Sequence, residues 1–231
     1  MFSAIILAAG NSTRMEGTNK QLAKIADIPV FVMSALNFES SEQVAEIIIA
    51  APEGELSRFE KLAKHFGVTK LKAVVSGGDT RFLSVKNALQ QVSKTCTHIA
   101  IHDGARPLLP TAEIDRVLAD AVKYNAAIAA APATDTVKTS AGNGFVEGTP
   151  PREKLYYAQT PQAFSKKLYV ECMETLGENA QTLTDDSALV EQCGGYVKIT
   201  EITCCNMKIT RPEDLAAANA VYFSRKAVKR T

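Results

Sequence analysis

The stretch Ala4-Ile5-Ile6-Leu7-Ala8-Ala9-Gly10-Asn11-Ser12-Thr13-Arg14-Met15 decides the fold of this chain. Its first four residues form a short apolar run bounded by small residues, which is the pattern of a buried strand. The small and hydroxyl-bearing residues that follow allow backbone N–H groups to approach a ligand closely, and such concave backbone segments bind anions. Arg14 and the nearby Lys20 add two positive charges. Together these features predict a site for a polyphosphate.

Two better-known phosphate-binding loops fit this stretch less well. The dinucleotide fingerprint needs three glycines at set spacing, and only Gly10 is in place. The ATP-binding P-loop ends in Gly-Lys-Ser/Thr, a sequence that does not occur here. For this segment alone, an ordinary strand-to-helix turn with surface charges is the alternative.

Composition and charge are those of a globular protein whose net charge is close to zero. Of 231 residues, 46% are hydrophobic and 22% are charged, and the formal net charge is +1. Such a balance favours neither nucleic acid nor an anionic membrane as a partner. No apolar run approaches the roughly 20 residues that are needed to span a bilayer. We therefore expect no nucleic-acid or membrane partner.

The cysteines and histidines indicate neither a disulfide framework nor a metal site. The five cysteines are Cys96, Cys172, Cys193, Cys204 and Cys205. An odd number without a CxxC pair argues against structural disulfides and against zinc. His65, His98 and His102 are scattered along the chain. The simplest interpretation is a cytoplasmic protein with reduced thiols.

Apolar runs and helical patterns alternate along the chain. Short apolar runs occur at residues 4–7, 47–51, 71–75, 99–101, 127–131 and 197–202. Apolar residues with helical spacing occur at residues 56–66, 82–92 and 114–122, and a further helix starts at Pro212 and runs toward Arg225. This alternation predicts an α/β fold with a doubly wound, mostly parallel sheet. We expect one domain over residues 1–231.

The region 132–162 interrupts this alternation. It is rich in Thr, Gly and Pro and has little helical periodicity. Residues 137–139 and 144–147 are interpreted as two strands joined by residues 140–143, which would form a protruding β-hairpin. A mobile surface loop is the alternative. We expect residues 133–158 to form an extended arm.

Further candidate site residues follow other predicted strands. Gly78 and Asp79 follow the third run, and Ser84 lies at the opening of the next helix. Asp103 follows the fourth run, where it could bind a ribose or help to hold a metal–phosphate complex, and Lys208 follows the last run. Taken singly, these are an N-cap, a turn-forming Asp-Gly and a solvated lysine. Their convergence on the carboxyl edge of one sheet predicts a nucleotide site.

Seven segments occur in the order typical of one family. They are AAGNSTRM with Lys20-Gln21, GGDTRFLSV, HDGARP, ATDTVK, YAQTPQAF, TDDSALVE and NMKITRPEDL. Over essentially its whole length the chain resembles the 2-C-methyl-D-erythritol 4-phosphate cytidylyltransferases. The AAGxxxRM pattern is shared with sugar nucleotidyltransferases in general. The combination of GGDTRFLSV, HDGARP, ATDTVK and AQTPQAF is much more specific.

The resemblance implies a Rossmann-like nucleotidyltransferase fold and a function in the non-mevalonate isoprenoid pathway. The reaction would join CTP and methylerythritol phosphate and release pyrophosphate with Mg²⁺, held mainly by the phosphates with Asp103 as a candidate ligand. The implied catalytic residues are Arg14, Lys20, Lys208 and Asp103. The implied CTP contacts are Ala8, Ala9, Gly10, Gly78, Asp79, Ser84 and Gly104. The implied acceptor contacts are Thr136, Arg152, Thr160 and Thr184, and the arm would clasp a second subunit in a homodimer.

Three positions depart from the family pattern, and other functions remain open at this point. Ser12 stands where many relatives carry a second glycine, and Cys205 stands where an acidic residue is frequent. Asn19 replaces the usual proline before Lys20, which predicts a less rigidly placed lysine. A ribitol 5-phosphate cytidylyltransferase and a non-catalytic nucleotide-binding module are the alternatives. A dinucleotide-dependent oxidoreductase is disfavoured by the missing glycines.

Overall fold

The computed structural model describes residues 1–10 and 19–228. Within these residues, seven strands form one sheet in the order β5-β4-β1-β6-β8-β7-β9. The strands are β1 (Phe2–Leu7), β4 (Val44–Ala51), β5 (Leu71–Ser76), β6 (His98–Asp103), β7 (Ala126–Pro132), β8 (Tyr156–Ser165) and β9 (Lys198–Glu201), and a small hairpin is formed by β2 (Lys24–Ile25) and β3 (Ile28–Pro29). Strand β8 pairs antiparallel with both of its neighbours, whereas the other pairs in the sheet are parallel.

Helices cover both faces of the sheet, because alternate strand residues point to opposite sides. Ile6 belongs to the apolar cluster that includes residues of α1, α2 and α4, whereas Ile5 belongs to the cluster that includes residues of α3, α5 and α6. The helices are α1 (Val30–Glu39), α2 (Leu56–His65), α3 (Arg81–Leu89), α4 (Thr111–Tyr124), α5 (Lys166–Leu176), α6 (Ser187–Gln192) and α7 (Pro212–Val228). Among the described residues, no helix is both long enough and apolar enough to cross a bilayer.

The predicted α/β sheet is confirmed, and every predicted apolar run lies in a strand of that sheet or extends just past its ends. The predicted helices correspond to α2, α3, α4 and α7, although α3 ends at Leu89 rather than at Val92. Helix α7 begins at Pro212, where the Asp214 carboxylate accepts the N–H groups of Thr210 and Arg211 at 2.8 Å. The prediction did not include α1, α5, α6 or β8.

Two details of the interpretation of residues 132–162 are wrong. The segments 137–139 and 144–147 are not strands, since the only ladder contact of either is an antiparallel bridge from Thr139 to Gly148, one residue beyond the second segment. An isolated two-stranded ribbon gains little from pairing, because no neighbouring strand or core supports it. The far end of the region is regular, as β8 begins at Tyr156. The sequence does not indicate β8 because Pro161 lies inside it, and a proline argues against a central strand. The strand tolerates this proline because its register with β7 shifts at that point.

The strand order reverses beside β1, which creates a crevice at the carboxyl edge of the sheet. From β1 the chain proceeds to β4 and β5 on one side and then returns to β6 on the other. The last residue of β1, Leu7, is opposite Ala50 of β4 and Asp103 of β6. Ligands of open α/β sheets bind at such a point.

Candidate nucleotide-binding site

A cleft of about 710 Å³ lies at this carboxyl edge. It is lined by residues at the carboxyl ends of β1, β4, β5 and β6, by the turn of Lys20 and Gln21, and by Lys208, which follows β9. These are Leu7, Ala9, Gly10, Lys20, Gln21, Pro52, Glu53, Gly77, Gly78, Asp79, Thr80, Arg81, Ser84, Asp103, Ala105 and Lys208. The cleft therefore brings together the turn after β1 and the turn after β5, which the sequence predicted to share one site.

Close backbone approach explains the two glycines after β5. A Cβ atom on Gly77 would lie 2.1 Å from the Cβ of Ala9, and one on Gly78 would lie 2.3 Å from the Cβ of Leu83. The Gly78 N–H donates to the Ser84 hydroxyl at 3.0 Å, which ties this turn to α3. Thr80 is the N-cap of α3, since its hydroxyl accepts the Leu83 N–H at 3.1 Å. Asp79 is therefore not the cap, and its exposed side chain lines the cleft.

Asp103, at the end of β6, is surrounded by three basic side chains. Its Oδ1 accepts from Arg81 Nη1 at 2.7 Å, and its Oδ2 lies 3.3 Å from Arg106 Nε and 2.9 Å from Lys208 Nζ. Burial alone would raise the pKa of this carboxyl group. The three cations more than reverse that effect and hold the pKa of Asp103 well below its usual range. Asp103 therefore stays ionised and fixes the positions of three positive charges.

Arg81 joins this cluster to a second buried carboxylate. Its Nε and Nη2 donate to Asp186 Oδ2 at 3.1 and 2.5 Å. Burial lowers the pKa of Arg81, but Asp186 and Asp103 outweigh burial and raise it above its ordinary value. The other oxygen of Asp186 accepts from the Tyr169 hydroxyl at 2.8 Å, and the backbone N–H of Asp186 donates to Gln162 at 2.9 Å. Three cations and two carboxylates leave this cluster with one positive charge.

His102 and Thr160 form a chain of hydrogen bonds behind Asp103. Burial lowers the pKa of His102 to about 4, so the ring is neutral near pH 7. Its Nε2 lies 3.1 Å from the Arg106 carbonyl, which can only accept, so this nitrogen carries the proton. Nδ1 then accepts from the Thr160 hydroxyl at 3.0 Å, and the same hydroxyl oxygen accepts the Asp103 N–H at 3.0 Å.

Long-range backbone contacts bring Lys208 to the cleft, although it follows β9 at the far edge of the sheet. The Ile209 N–H donates to the Ala105 carbonyl at 2.8 Å, and Arg106 donates to the Asn206 carbonyl at 2.7 Å. The segment after β9 is thereby fixed against the turn that follows β6. Lys208 keeps 41% of its side chain exposed, so its ammonium group can reach both Asp103 and a ligand.

The turn that carries Lys20 is fixed by hydrogen bonds from Asn19. The Asn19 side-chain oxygen accepts the Gln21 N–H at 3.0 Å, and its carbonyl accepts the N–H groups of Leu22 and Ala23 at 2.9 and 3.1 Å. Asn19, which was expected to leave Lys20 less rigidly placed, therefore caps the turn that carries this lysine. Lys20 lines the cleft on this turn.

The structure brings most of the residues expected to bind CTP or to act in catalysis into the cleft. Ala9, Gly10, Lys20, Gly78, Asp79, Ser84, Asp103 and Lys208 line it. Ala8 is buried in the core, and Gly104 lies just beneath the cleft, with its N–H bonded to the Leu7 carbonyl at 2.9 Å. Arg14 lies outside the described residues.

The four residues expected to contact the acceptor do not line the cleft of this chain. Thr136 is exposed on the arm. Arg152 is exposed and donates to the Thr134 carbonyl at 3.0 Å. Thr184 is exposed in the turn before α6, whereas Thr160 is buried against His102 and Asp103.

Several residues of the site were not among the predicted site residues. Arg81, Arg106, His102 and Asp186 belong to the ionic and hydrogen-bonded network, and Gln21 lines the cleft. The buried Oε1 atom of Gln21 has no hydrogen-bond partner among the described residues. Arg81 follows β5, as Gly78 does, and Arg106 follows β6, which ends at Asp103. Their places after these strands could have marked both arginines as site residues.

The described residues do not fit a metal site made by the protein alone. No group of three or more His, Cys, Asp or Glu residues in the described part of the chain could hold an ion. Both oxygens of Asp103 are already engaged by basic groups, whose charges also repel a cation. A carboxylate in this setting is a poor ligand for Mg²⁺, which binds proteins through available oxygen ligands.

The fold and the cleft are those of an α/β protein with a candidate nucleotide site at the topological switch point of its sheet. Residues 2–224 match the family model described as IspD, 2-C-methyl-D-erythritol 4-phosphate cytidylyltransferase. The chain belongs to this family. A relative with the same name from Geobacillus kaustophilus is 40% identical over 98% of this chain and 99% of its own length. Another, from Caldanaerobacter subterraneus, is 41% identical over 97% of this chain and 99% of its own.

Solved structures agree with this assignment. The 4-diphosphocytidyl-2C-methyl-D-erythritol synthase from Anaerococcus prevotii superposes with a TM-score of 0.85 at 28% identity, covering 96% of this chain and 95% of that one. The 2-C-methyl-D-erythritol 4-phosphate cytidylyltransferase from Thermus thermophilus superposes with a TM-score of 0.77 at 28% identity, covering 95% and 97%. The Rossmann-like fold is thus shared with enzymes of this name.

Proposed function

We propose that the protein transfers CMP from CTP to 2-C-methyl-D-erythritol 4-phosphate, a reaction of the non-mevalonate isoprenoid pathway, by direct attack of the acceptor phosphate. The products are 4-diphosphocytidyl-2-C-methyl-D-erythritol and pyrophosphate. The observation that carries the proposal is the cleft itself, in which a glycine-lined turn faces Lys20 and the cations held by Asp103. The five cysteines have free thiols, which fits our proposal of a cytoplasmic location.

The reaction needs alignment and charge compensation rather than a nucleophilic side chain. An oxygen of the acceptor phosphate forms a bond to the α-phosphorus, and the bond from that phosphorus to the bridging oxygen of pyrophosphate breaks. The two anions repel each other as they approach, and negative charge builds up on the leaving pyrophosphate. Arg14, Lys20 and Lys208 offset this charge, and Asp103 keeps Lys208 in position before the substrates arrive.

The turn after β5 provides the surface for the nucleoside. Gly78 lets this turn pack closely against Leu83, and the Ser84 hydroxyl holds the Gly78 backbone in place. Ala9 lies against Gly77 of this turn, Gly10 also lines the cleft, and Asp79 is exposed. In our proposal these residues surround the cytosine and the ribose, and Ala8 and Gly104 support them from behind, since their N–H groups already donate to Ala50 and Leu7.

Mg²⁺ is the proposed metal, and the triphosphate is its proposed main ligand. Bound there, the ion would supply positive charge to the phosphate oxygens. The protein side of the site is then cationic, in agreement with the engagement of Asp103 by Arg81, Arg106 and Lys208.

The arm is proposed to clasp a second subunit and to complete the acceptor site across the interface. Phe145 and Val146 at its tip are 76% and 64% exposed. Thr136 and Arg152 lie on the arm outside the cleft of their own chain, so they are available to a partner's cleft. Thr184 is the proposed acceptor contact from the chain that holds the CTP, whereas the Thr160 hydroxyl is already engaged by His102 and Asp103.

Arg152→Ala is expected to raise the KM for methylerythritol phosphate by about tenfold to a hundredfold, because a charge-assisted contact to the phosphate is lost. The affinity for CTP should stay unchanged in isothermal titration. Lys154→Ala, an exposed cation in the same short helical turn, is the matched control and should leave both values near wild type. An unchanged acceptor KM in Arg152→Ala would reject the assignment.

Deletion of residues 140–148 is expected to convert dimers into monomers, as measured by light scattering. The milder variant Phe145→Ser/Val146→Ser should weaken the dimer, because it removes two exposed apolar side chains from the arm tip. Tyr196→Ser changes another exposed aromatic residue outside the arm and should leave the dimer intact. A deletion variant that remains dimeric would show that the interface lies elsewhere.

The proposed reaction is tested directly by pyrophosphate release. The protein is mixed with CTP, Mg²⁺ and one acceptor, either methylerythritol phosphate or ribitol 5-phosphate. We expect release with methylerythritol phosphate and at most slow release with ribitol 5-phosphate. Preference for ribitol 5-phosphate would overturn the acceptor assignment, and no release with either would overturn the proposed activity.

A further inference from the structure

The turn of residues 103–107 is held by hydrogen bonds on nearly all of its backbone groups. The carbonyls of Asp103 and Ala105 accept the N–H groups of Arg106 and Ile209 at 3.0 and 2.8 Å. The Gly104 carbonyl accepts from the Ser34 hydroxyl at 2.8 Å, and the Pro107 carbonyl accepts from Asn37 at 2.9 Å. Because an unpaired buried backbone group is costly, this extensive pairing disfavours other conformations of the turn.

His102 holds both ends of this turn, and those ends carry the side chains of the ionic cluster. Through Nε2 it donates to the Arg106 carbonyl, and through Nδ1 and the Thr160 hydroxyl it is linked to the Asp103 N–H. The ring is 1% exposed and packs against Phe38 with ring centroids 5.0 Å apart. His102 does not line the cleft, so it touches neither substrate in our proposal.

We propose that His102, acting through the Thr160 hydroxyl and the Arg106 carbonyl, is a positioning residue that sets where Asp103 and Arg106 hold Lys208. This role rests on the proposed function, because its consequence is the alignment of Lys208 with the reacting phosphates. A displacement of about 1 Å in a catalytic group costs up to a hundredfold in rate. The hydrogen bonds that link His102 through Thr160 to Asp103 are buried. Loss of one of them therefore leaves a buried polar group without a partner, which is costly.

The Thr160 hydroxyl has two candidate roles, contact with the acceptor and positioning of Asp103. The resemblance to the family implies a contact between Thr160 and the acceptor. The structure shows the hydroxyl donating to His102 and accepting from Asp103, with 4% of the residue exposed. A direct contact would appear in the KM for the acceptor, whereas a positioning role would appear in kcat.

Thr160→Val removes the hydroxyl and keeps the shape of the side chain. We expect kcat to fall about tenfold, with less than a threefold change in the acceptor KM. Thr160→Ser keeps the hydroxyl and should recover most of the lost kcat. His102→Asn should lower kcat similarly, and the double variant should lose less than the product of the single losses because both residues act through one chain of hydrogen bonds.

The matched control is His98→Asn at the opposite end of β6. His98 is partly buried and its ring lies 5.0 Å from that of Phe2, outside the network around Asp103. This variant should keep the wild-type kcat. A Thr160→Val protein with a raised acceptor KM and normal kcat would overturn the positioning role, as would a folded His102→Asn protein with wild-type kcat.

The positioning of Asp103 by His102 can also be measured without substrates, from hydrogen exchange of its backbone amide. Exchange of the Asp103 amide hydrogen, followed by NMR, should be faster in Thr160→Val and in His102→Asn than in wild type or His98→Asn. Unchanged exchange in both variants would overturn the inference even if activity falls. If the wild-type protein releases no pyrophosphate, the proposed function fails, while the exchange result still decides whether His102 positions Asp103.

Discussion

Lys20→Ala is expected to lower kcat about a hundredfold while leaving the fold intact. Lys20 lines the cleft on a surface turn, so its removal creates no cavity in the core. Loss of one preorganised charge that stabilises the transition state costs on the order of 3 kcal/mol, which corresponds to about a hundredfold in rate. Single-turnover measurements of pyrophosphate release at saturating CTP and acceptor would record this loss.

Lys24→Ala is the matched control for this prediction. Lys24 is an exposed cation four residues further along, in β2, and it does not line the cleft. Its variant should retain kcat within about twofold, since isolated surface substitutions have small effects. A Lys20→Ala protein with near-normal kcat would show that Lys20 has no catalytic role.

Arg81→Met is expected to lower the free energy of unfolding by about 3–5 kcal/mol, since two buried carboxylates lose their common partner. Asp103 and Asp186 each keep 10% or less of their side chains exposed. Chemical denaturation at pH 7 measures the change. The control is Arg116→Met, which removes an exposed pair with Glu113 on α4 and should cost less than about 1 kcal/mol.

The same variant should unfold at a higher pH on acidification. The cations around Asp103 lower its pKa in the folded protein, so its ionisation stabilises the fold above the unfolded pKa of about 3.9 and is lost as the pH falls further. Without Arg81 the folded pKa rises toward the unfolded value, and this stabilisation shrinks. An Arg81→Met protein with wild-type stability and an unshifted acid transition would contradict the ionic network described here.

The sheet could be predicted from the sequence because its central parallel strands β1, β4 and β6 are buried on both faces. Residues 47–51 form an unbroken apolar run, and a short run of this kind is typical of a parallel strand buried on both faces. Helix α1 was missed for a related reason. Its residues 30–35 are all buried, so the helix has no polar face to give it a visible period.

Within the site, the sequence could indicate which residues follow each strand but not which of them bond to each other. Gly78, Asp103 and Lys208 were predicted to share an edge because each follows a strand. The pairing of Arg81 with Asp103 and with Asp186 depends on contacts between residues 22 and 105 positions apart. No local pattern carries such information, and the same is true of the link from His102 through Thr160.

The central claim is that basic side chains from distant parts of the chain surround one triphosphate. A crystal structure of the protein with CTP and Mg²⁺ tests it most directly. We expect nitrogen atoms of Arg14, Lys20 and Lys208 within about 3 Å of phosphate oxygens, the usual distance of a charge-assisted hydrogen bond. A bound CTP whose phosphates lie away from all three side chains would contradict the account.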